Sequence, residues 1–187
     1  MFTETINGVR LVFETSGDVF SPCGVDRGTL AMLQAARMTA GDKLLDLGCG
    51  YGAVGIYAAK LIGGRNVVMS DSDENCAGLA RTNAALNGVG EIKIIVSDAF
   101  TKIDDMNFTL ILSNPPYHAD FSTPKRFIEK GFNRLAIGGR MYMVTKRMDW
   151  YKNKLTAIFG GVSVTRTDGY CVFCAEKRSA RYANSNK

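Results

Sequence analysis

The chain has 187 residues, 46% hydrophobic and 22% charged, with a formal net charge of +5, which suits one domain with a core of its own. No apolar run reaches the ~20 residues that a membrane-spanning helix needs, and MFTETINGVRLVFETSG at the start lacks the basic-then-apolar order of a secretory signal. Five scattered cysteines fit reduced thiols in a cytoplasm, and the positive balance is a weak pointer to an anionic partner such as nucleic acid, since solvated helix faces give the same excess.

In chain order, the alternation of Val9, Leu11 and Phe13 around Arg10 and Val12 predicts a strand or hairpin arm. The segment VFSPCGVDRGTLAML, Val19–Leu33, opens as a loop through Pro22, Gly24 and Gly28 and becomes a helix over Thr29–Arg37. Phe20, Asp26 and Thr29 are candidates to line a pocket, with a helix cap as the alternative role of Asp26.

The stretch LLDLGCGYG, Leu44–Gly52, is the centre around which the other elements can be placed: a buried strand over Lys43–Leu47, a glycine turn, and a helix from Ala53 to Leu61. Gly48, Gly50 and Gly52 let the backbone bend sharply and touch a ligand, and the helix start offers it unpaired N–H groups. With Ala53 the spacing also satisfies G-x-G-x-x-[GA], so the glycines alone do not identify the ligand. Asp46 discriminates. A carboxylate there repels a pyrophosphate and suits an ammonium group, which S-adenosylmethionine (SAM) carries beside its sulfonium; a local cap of the loop is the plainer role.

The next strand, Asn66–Asp73, ends in Asp71, 23 residues after Gly48. That is where an acid accepts hydrogen bonds from both ribose hydroxyls. Asp73 is expected to cap a helix over Glu74–Asn87. The third strand, Ile92–Val96, leads to Asp98, placed to accept from an adenine amino group, with Ala99 or Phe100 against the base. Three acids thus cluster beyond the carboxyl ends of neighbouring strands, where open α/β sheets bind ligands.

A fourth strand, Thr109–Ser113, runs into Asn114-Pro115-Pro116-Tyr117-His118. Two successive prolines hold the chain extended and withhold two N–H donors, leaving the Pro115 carbonyl free. With the Asn114 amide oxygen it offers two acceptors to a planar –NH2 group, and Tyr117 can stack on the ring bearing that group. His118, the single histidine, is a candidate substrate contact. Cys171 and Cys174 fall on opposite faces of one strand, which suits packing rather than a metal. Further elements are a helix over Thr123–Leu135 broken by Gly138-Gly139, a fifth strand Met141–Thr145, and a helix around Trp150–Phe159. Strands Val162–Thr167 and Tyr170–Ala175 close the chain, joined by the hairpin signal Asp168-Gly169, before a frayed tail over 178–187. Lys146, Arg147, Trp150 and Tyr151 are candidates for an RNA-facing edge, with packing as the alternative role.

An alternating α/β chain closing in a hairpin resembles the class I SAM-dependent methyltransferases. The resemblance implies a Rossmann-like sheet of seven strands in order 3-2-1-4-5-7-6, the last antiparallel. It makes LLDLGCGYG the cofactor loop, Asp71 the ribose acid, Asp98 the adenine contact, and Asn114–Tyr117 the motif of enzymes that methylate planar nitrogens. VFSPCGVDRGT, NPPYH and GGRMYMVTKRMDWY resemble the ribosomal RNA guanine-N2 methyltransferases of the small-subunit type, in their short single-domain form. One domain is therefore expected over 1–187, with an arm, loop and helix to residue 40 and a core over 41–177. The expected reaction is methyl transfer from SAM to guanine N2 in ribosomal RNA. Adenine N6, a protein glutamine amide, a nicotinamide oxidoreductase and a non-catalytic SAM-binding module are the alternatives.

Overall fold

The computed structural model describes residues 1–17, 21, 23–115 and 120–183. Its strands are β1 (Phe2–Ile6), β2 (Val9–Phe13), β3 (Leu44–Leu47), β4 (Val67–Asp71), β5 (Lys93–Val96), β6 (Phe108–Ser113), β7 (Leu135–Thr145), β8 (Ser163–Thr167) and β9 (Tyr170–Glu176). The helices are α1 (Arg27–Ala35), α2 (Ala53–Ile62), α3 (Glu74–Leu86), α4 (Ser122–Arg134) and α5 (Met148–Phe159). β1 and β2 form a separate antiparallel hairpin, turning through Asn7 and Gly8, both at positive φ.

The remaining seven strands form one sheet in the order β5-β4-β3-β6-β7-β9-β8. Counted within that sheet, this is the expected 3-2-1-4-5-7-6, and β9 runs antiparallel to both of its neighbours. Every residue of β3 is buried, as a central parallel strand covered on both faces requires. Alternate residues supply two cores. Leu44, Met69, Leu110 and Leu112 face α1, α2, α3 and the hairpin, while Leu45, Val68, Ile111 and Met143 face α4 and α5. Among the described residues no helix is long and apolar enough to cross a membrane.

Two expectations are corrected. Gly138-Gly139 does not end a helix: α4 stops at Arg134, and β7 starts at once and runs through both glycines. The β6–β7 register slips there, from Phe108 opposite Leu135 to Leu110 opposite Arg140. Gly138 takes φ +82°, and a Cβ on Gly139 would lie 2.9 Å from the Phe108 carbonyl oxygen. The glycines thus make a strand irregularity, which in sequence reads as a breaker. The tail is also docked as far as Ala183. The Tyr182 hydroxyl donates to the Glu129 carbonyl, its ring packs edge-on against Phe132, and the Ala183 N–H donates to the Ile158 carbonyl.

Candidate active site

The glycine turn between β3 and α2 is held by backbone and acids together. Gly48, Gly50 and Gly52 take φ of +76°, +54° and +97°, a region costly for any side chain with a Cβ. The N–H groups of Gly48 and Cys49 both donate to the Ser70 carbonyl of β4. Asp71, at the tip of β4, accepts from Gly50 N–H (2.8 Å) through one oxygen and from Asp73 N–H (3.0 Å) through the other. It therefore sets the height of the loop while each oxygen keeps a lone pair. Asp73 caps α3 as expected, accepting from Asn75 N–H.

Asp46 is 2% exposed and accepts from Gly55 N–H at 2.9 Å. Burial pushes its carboxyl up to about 7, and the negative Asp71 adds to the rise. Gly55 makes the close approach possible, since a Cβ there would sit 2.3 Å from the Met69 sulfur. An acid so placed is a latent anion, partly protonated near neutral pH and favoured as carboxylate by an arriving cation. Its bond reaches the first turn of α2 at Gly55 rather than the amides of the glycine loop, and the same residue lines the cavity.

That cavity has a volume of about 420 Å³ and opens beyond the carboxyl ends of β3, β4, β5 and β6. It brings together Asp26, Asp46, Gly48, Gly50, Asp71, Asp98, Ala99, Asn114 and Pro115. Ala99 is buried at φ +50°. Asp98 is exposed, and the guanidinium of Arg126 grips it through two hydrogen bonds of 3.1 and 3.0 Å. An adenine amine reaching Asp98 must share the carboxylate with Arg126, a partner 28 residues away that carries no sequence signal. Cys49 and Cys76 also line the cavity; burial raises both thiols, Cys76 to about 11, so they stay protonated. Phe20, Pro116, Tyr117 and His118 lie outside the described residues.

Asn114 comes directly after β6, whose last residue, Ser113, is tied through its hydroxyl to the Leu47 carbonyl. The Asn114 Nδ2 donates to Asp26 Oδ2 and to Thr29 Oγ1, both at 3.0 Å. Its Oδ1 is shielded from solvent and has no hydrogen-bond partner among the described residues. Asp26 serves as helix cap and pocket wall together, since the same Oδ2 accepts from Thr29 N–H at the start of α1. Its Oδ1 accepts from the Tyr170 hydroxyl at 3.2 Å. Tyr170 belongs to the far end of the chain, and nothing in its sequence neighbourhood points to the site.

Lys146 and Arg147 do not line the cavity. The Lys146 ammonium lies 4.9 Å from the Tyr170 ring, and the Arg147 guanidinium lies 5.1 Å from the ring of Phe121. Phe121 stacks on Trp150 with centroids 4.4 Å apart. Tyr151 is corrected from a surface candidate to core: it is 3% exposed and stacks on Phe173. Cys171 and Cys174 face opposite cores, as their spacing predicts. Among the described residues no cluster of His, Cys, Asp or Glu is arranged to hold a metal.

The sheet order, the glycine turn and the acid-lined cavity at the strand tips define a Rossmann-like SAM-dependent methyltransferase. The methyltransferase small domain family matches residues 10–174, and the chain belongs to it. The nicotinamide alternative falls with that match. YbxB of Bacillus subtilis (strain 168), an uncharacterized protein, is 31% identical over 171 residues, covering 88% of this chain and 85% of its own. Ribosomal RNA small subunit methyltransferase C of Serratia proteamaculans is 31% identical over 163 residues, or 85% of this chain and 46% of that one. In structure, the 16S rRNA N2 G1207 methyltransferase (RsmC) of T. thermophilus, in complex with AdoMet and guanosine, superposes with a TM-score of 0.83 at 27% identity. That match covers 95% of this chain and 50% of the other. The chain spans about half the length of the curated ribosomal RNA methyltransferases it matches.

Proposed function

We propose that the protein methylates the exocyclic amine of guanine, N2, in ribosomal RNA. The observation that carries this reading is the Asn114 amide oxygen, buried and unpartnered among the described residues, on an asparagine that lines the cavity next to Pro115. That oxygen and the Pro115 carbonyl, which two successive prolines leave free, are the two acceptors that suit a planar –NH2, whose two hydrogens they take. A ring nitrogen or a carbonyl has no such hydrogens to give. A residue pair of this kind orients the weakly nucleophilic nitrogen and stabilises the positive charge that develops on it. No strong base is needed beforehand, because the methylated, cationic product sheds its proton readily to water. The target base has to be unstacked before it can reach Asn114.

The donor set on the other side of the cavity fits SAM. Asp71 holds the ribose, Asp98 and Ala99 receive the adenine, and Gly48, Gly50 and the latent anion Asp46 meet the ammonium end. Bound there, SAM supplies an electrophilic methyl group on a sulfonium. The T. thermophilus enzyme seen with AdoMet and guanosine supports both halves of the assignment. On the same reading Phe20, Tyr117, His118, Lys146 and Arg147 contact the RNA, and the chain works as one domain with its core over 41–177.

The test pairs two variants. Asn114→Ala is expected to abolish most transfer while SAM affinity stays near normal, and Asp71→Ala to weaken SAM binding first. Loss of SAM binding in Asn114→Ala overturns the assignment. Labelled SAM offered with ribosomal RNA transcripts, ribosomal subunits and release factors separates guanine from adenine and from glutamine once the labelled product is identified by mass spectrometry.

A further inference from the structure

An asparagine side chain can turn over and exchange its oxygen for its nitrogen. At Asn114 the surroundings forbid it. The Asp26 carboxylate only accepts, so the group facing it has to be the –NH2, and Thr29 Oγ1 takes the second hydrogen of that –NH2. Asp26 is itself fixed from two sides, by Thr29 N–H at the start of α1 and by the Tyr170 hydroxyl. Space for the Tyr170 ring exists only because residue 28 is glycine. A Cβ there would lie 2.7 Å from two ring carbons of Tyr170 and 2.9 Å from Asp26 Oδ2. The network thus draws on α1, the end of β6 and the start of β9, and all of it serves the orientation of one amide.

From this we infer that Asp26 is a positioning residue for methyl transfer, locking the Asn114 oxygen toward the target amine and strengthening it as an acceptor. The inference rests on the function proposed for the site. A negative charge on the N–H side of an amide drives electron density to its oxygen, as in any charge-assisted chain of hydrogen bonds. The stronger acceptor matters most when positive charge appears on the target nitrogen, so it acts on kcat more than on substrate binding. The charge sits one residue back, and the amide delivers it.

Asp26→Asn separates this role from a structural one. Asparagine caps a helix as well as aspartate does, so a purely structural Asp26 predicts an unchanged rate. The positioning role predicts a kcat lower by about tenfold to a hundredfold, with KM for ribosomal RNA transcripts and SAM affinity by calorimetry nearly unchanged. Tyr170→Phe, which removes only the hydroxyl, is expected to lower kcat about twofold to fivefold. The sharpest readout is an exchange of roles. Asn114→Asp alone sets two carboxylates together and loses most activity, whereas Asp26→Asn with Asn114→Asp restores one donor and one anion and recovers at least part of the rate. A wild-type kcat in Asp26→Asn, or a double variant no faster than Asn114→Asp, overturns the inference. If Asp26→Asn keeps its rate while Asn114→Ala is inactive, only this inference falls. If Asn114→Ala keeps its rate, or the wild-type protein methylates neither ribosomal RNA nor subunits, the reading of the site falls with it.

Discussion

At the scale of single residues, the unusual group is Asp46, a carboxyl sealed behind the glycine turn and raised to about 7 from 3.8. In the ligand-free protein the native state keeps this proton over a pH range in which the unfolded chain has already lost it. Its contribution to stability is therefore fullest below about pH 4 and is lost as pH rises through about 7. Asp46→Asn is expected to flatten that part of the stability–pH curve, measured by denaturant unfolding at pH 5 and pH 8. A cationic ligand reverses the preference. SAM affinity is expected to weaken below about pH 7, by at most about tenfold per pH unit, and binding near pH 6.5 is expected to release protons, seen as a buffer-dependent heat. An affinity flat from pH 6 to 8 in the wild type places Asp46 away from the ammonium. Acids of this kind are legible in a sequence because they come after short apolar strands at a recognisable spacing. Their partners are not. Arg126 reaches Asp98 across 28 residues and Asn114 reaches Asp26 across 88, distances that only the sheet order closes.

Among elements, the hairpin arm shows how a short segment is fastened to α2 and α3. Two asparagines one turn apart on α3 and its C-terminal end imitate the edge of a strand. Asn87 accepts from Val12 N–H (3.0 Å) and donates to the Val12 carbonyl (2.7 Å); Asn83 does the same with Glu14, at 2.7 and 2.9 Å. Asn83 Nδ2 also donates to the Tyr51 carbonyl, and the Tyr51 ring packs between Phe2 and Phe13. The arm is thereby tied to the residue in the middle of the glycine turn. Asn83→Ala leaves the half-buried Glu14 backbone groups and the Tyr51 carbonyl without their side-chain partner and is expected to cost about 1–3 kcal/mol, read from urea unfolding. Amide exchange in β2 should accelerate in the same variant. Gly55→Ala drives a Cβ into Met69 and is expected to cost about 1–3 kcal/mol as overpacking. Alternation makes β2 readable and short apolar runs make the parallel strands readable, so the seven sheet strands stand near their expected places, except that β7 starts at Leu135, six residues early. The asparagine latch is unreadable because its spacing is that of any exposed helical pair. The Gly138-Gly139 irregularity misleads because glycine marks helix ends and strand bulges alike.

For the whole molecule, the parallel strands β5, β4, β3 and β6 bring Asp98, Asp71, Asp46 and Asn114 to one side of the sheet, around one cavity. The excess positive charge of +5 is not spread evenly. Lys146 and Arg147 stand where β7 gives way to α5, on the side of the cavity where Asn114, Asp26 and Tyr170 meet. Each cation rests on an aromatic ring, Tyr170 and Phe121 respectively, and Phe121 is stacked in turn on Trp150. On the proposed function, cations held on flat rings would offer phosphate contacts to an RNA strand with the cost of ordering those side chains already met. Lys146→Ala and Arg147→Ala are therefore expected to weaken binding to single-stranded ribosomal RNA segments while SAM affinity stays unchanged. Each should reduce the slope of log affinity against log salt by about 0.7, the amount that one lost phosphate contact removes. A wild-type salt slope in both variants means that these cations only pack against their rings, and that the RNA crosses the molecule along another edge.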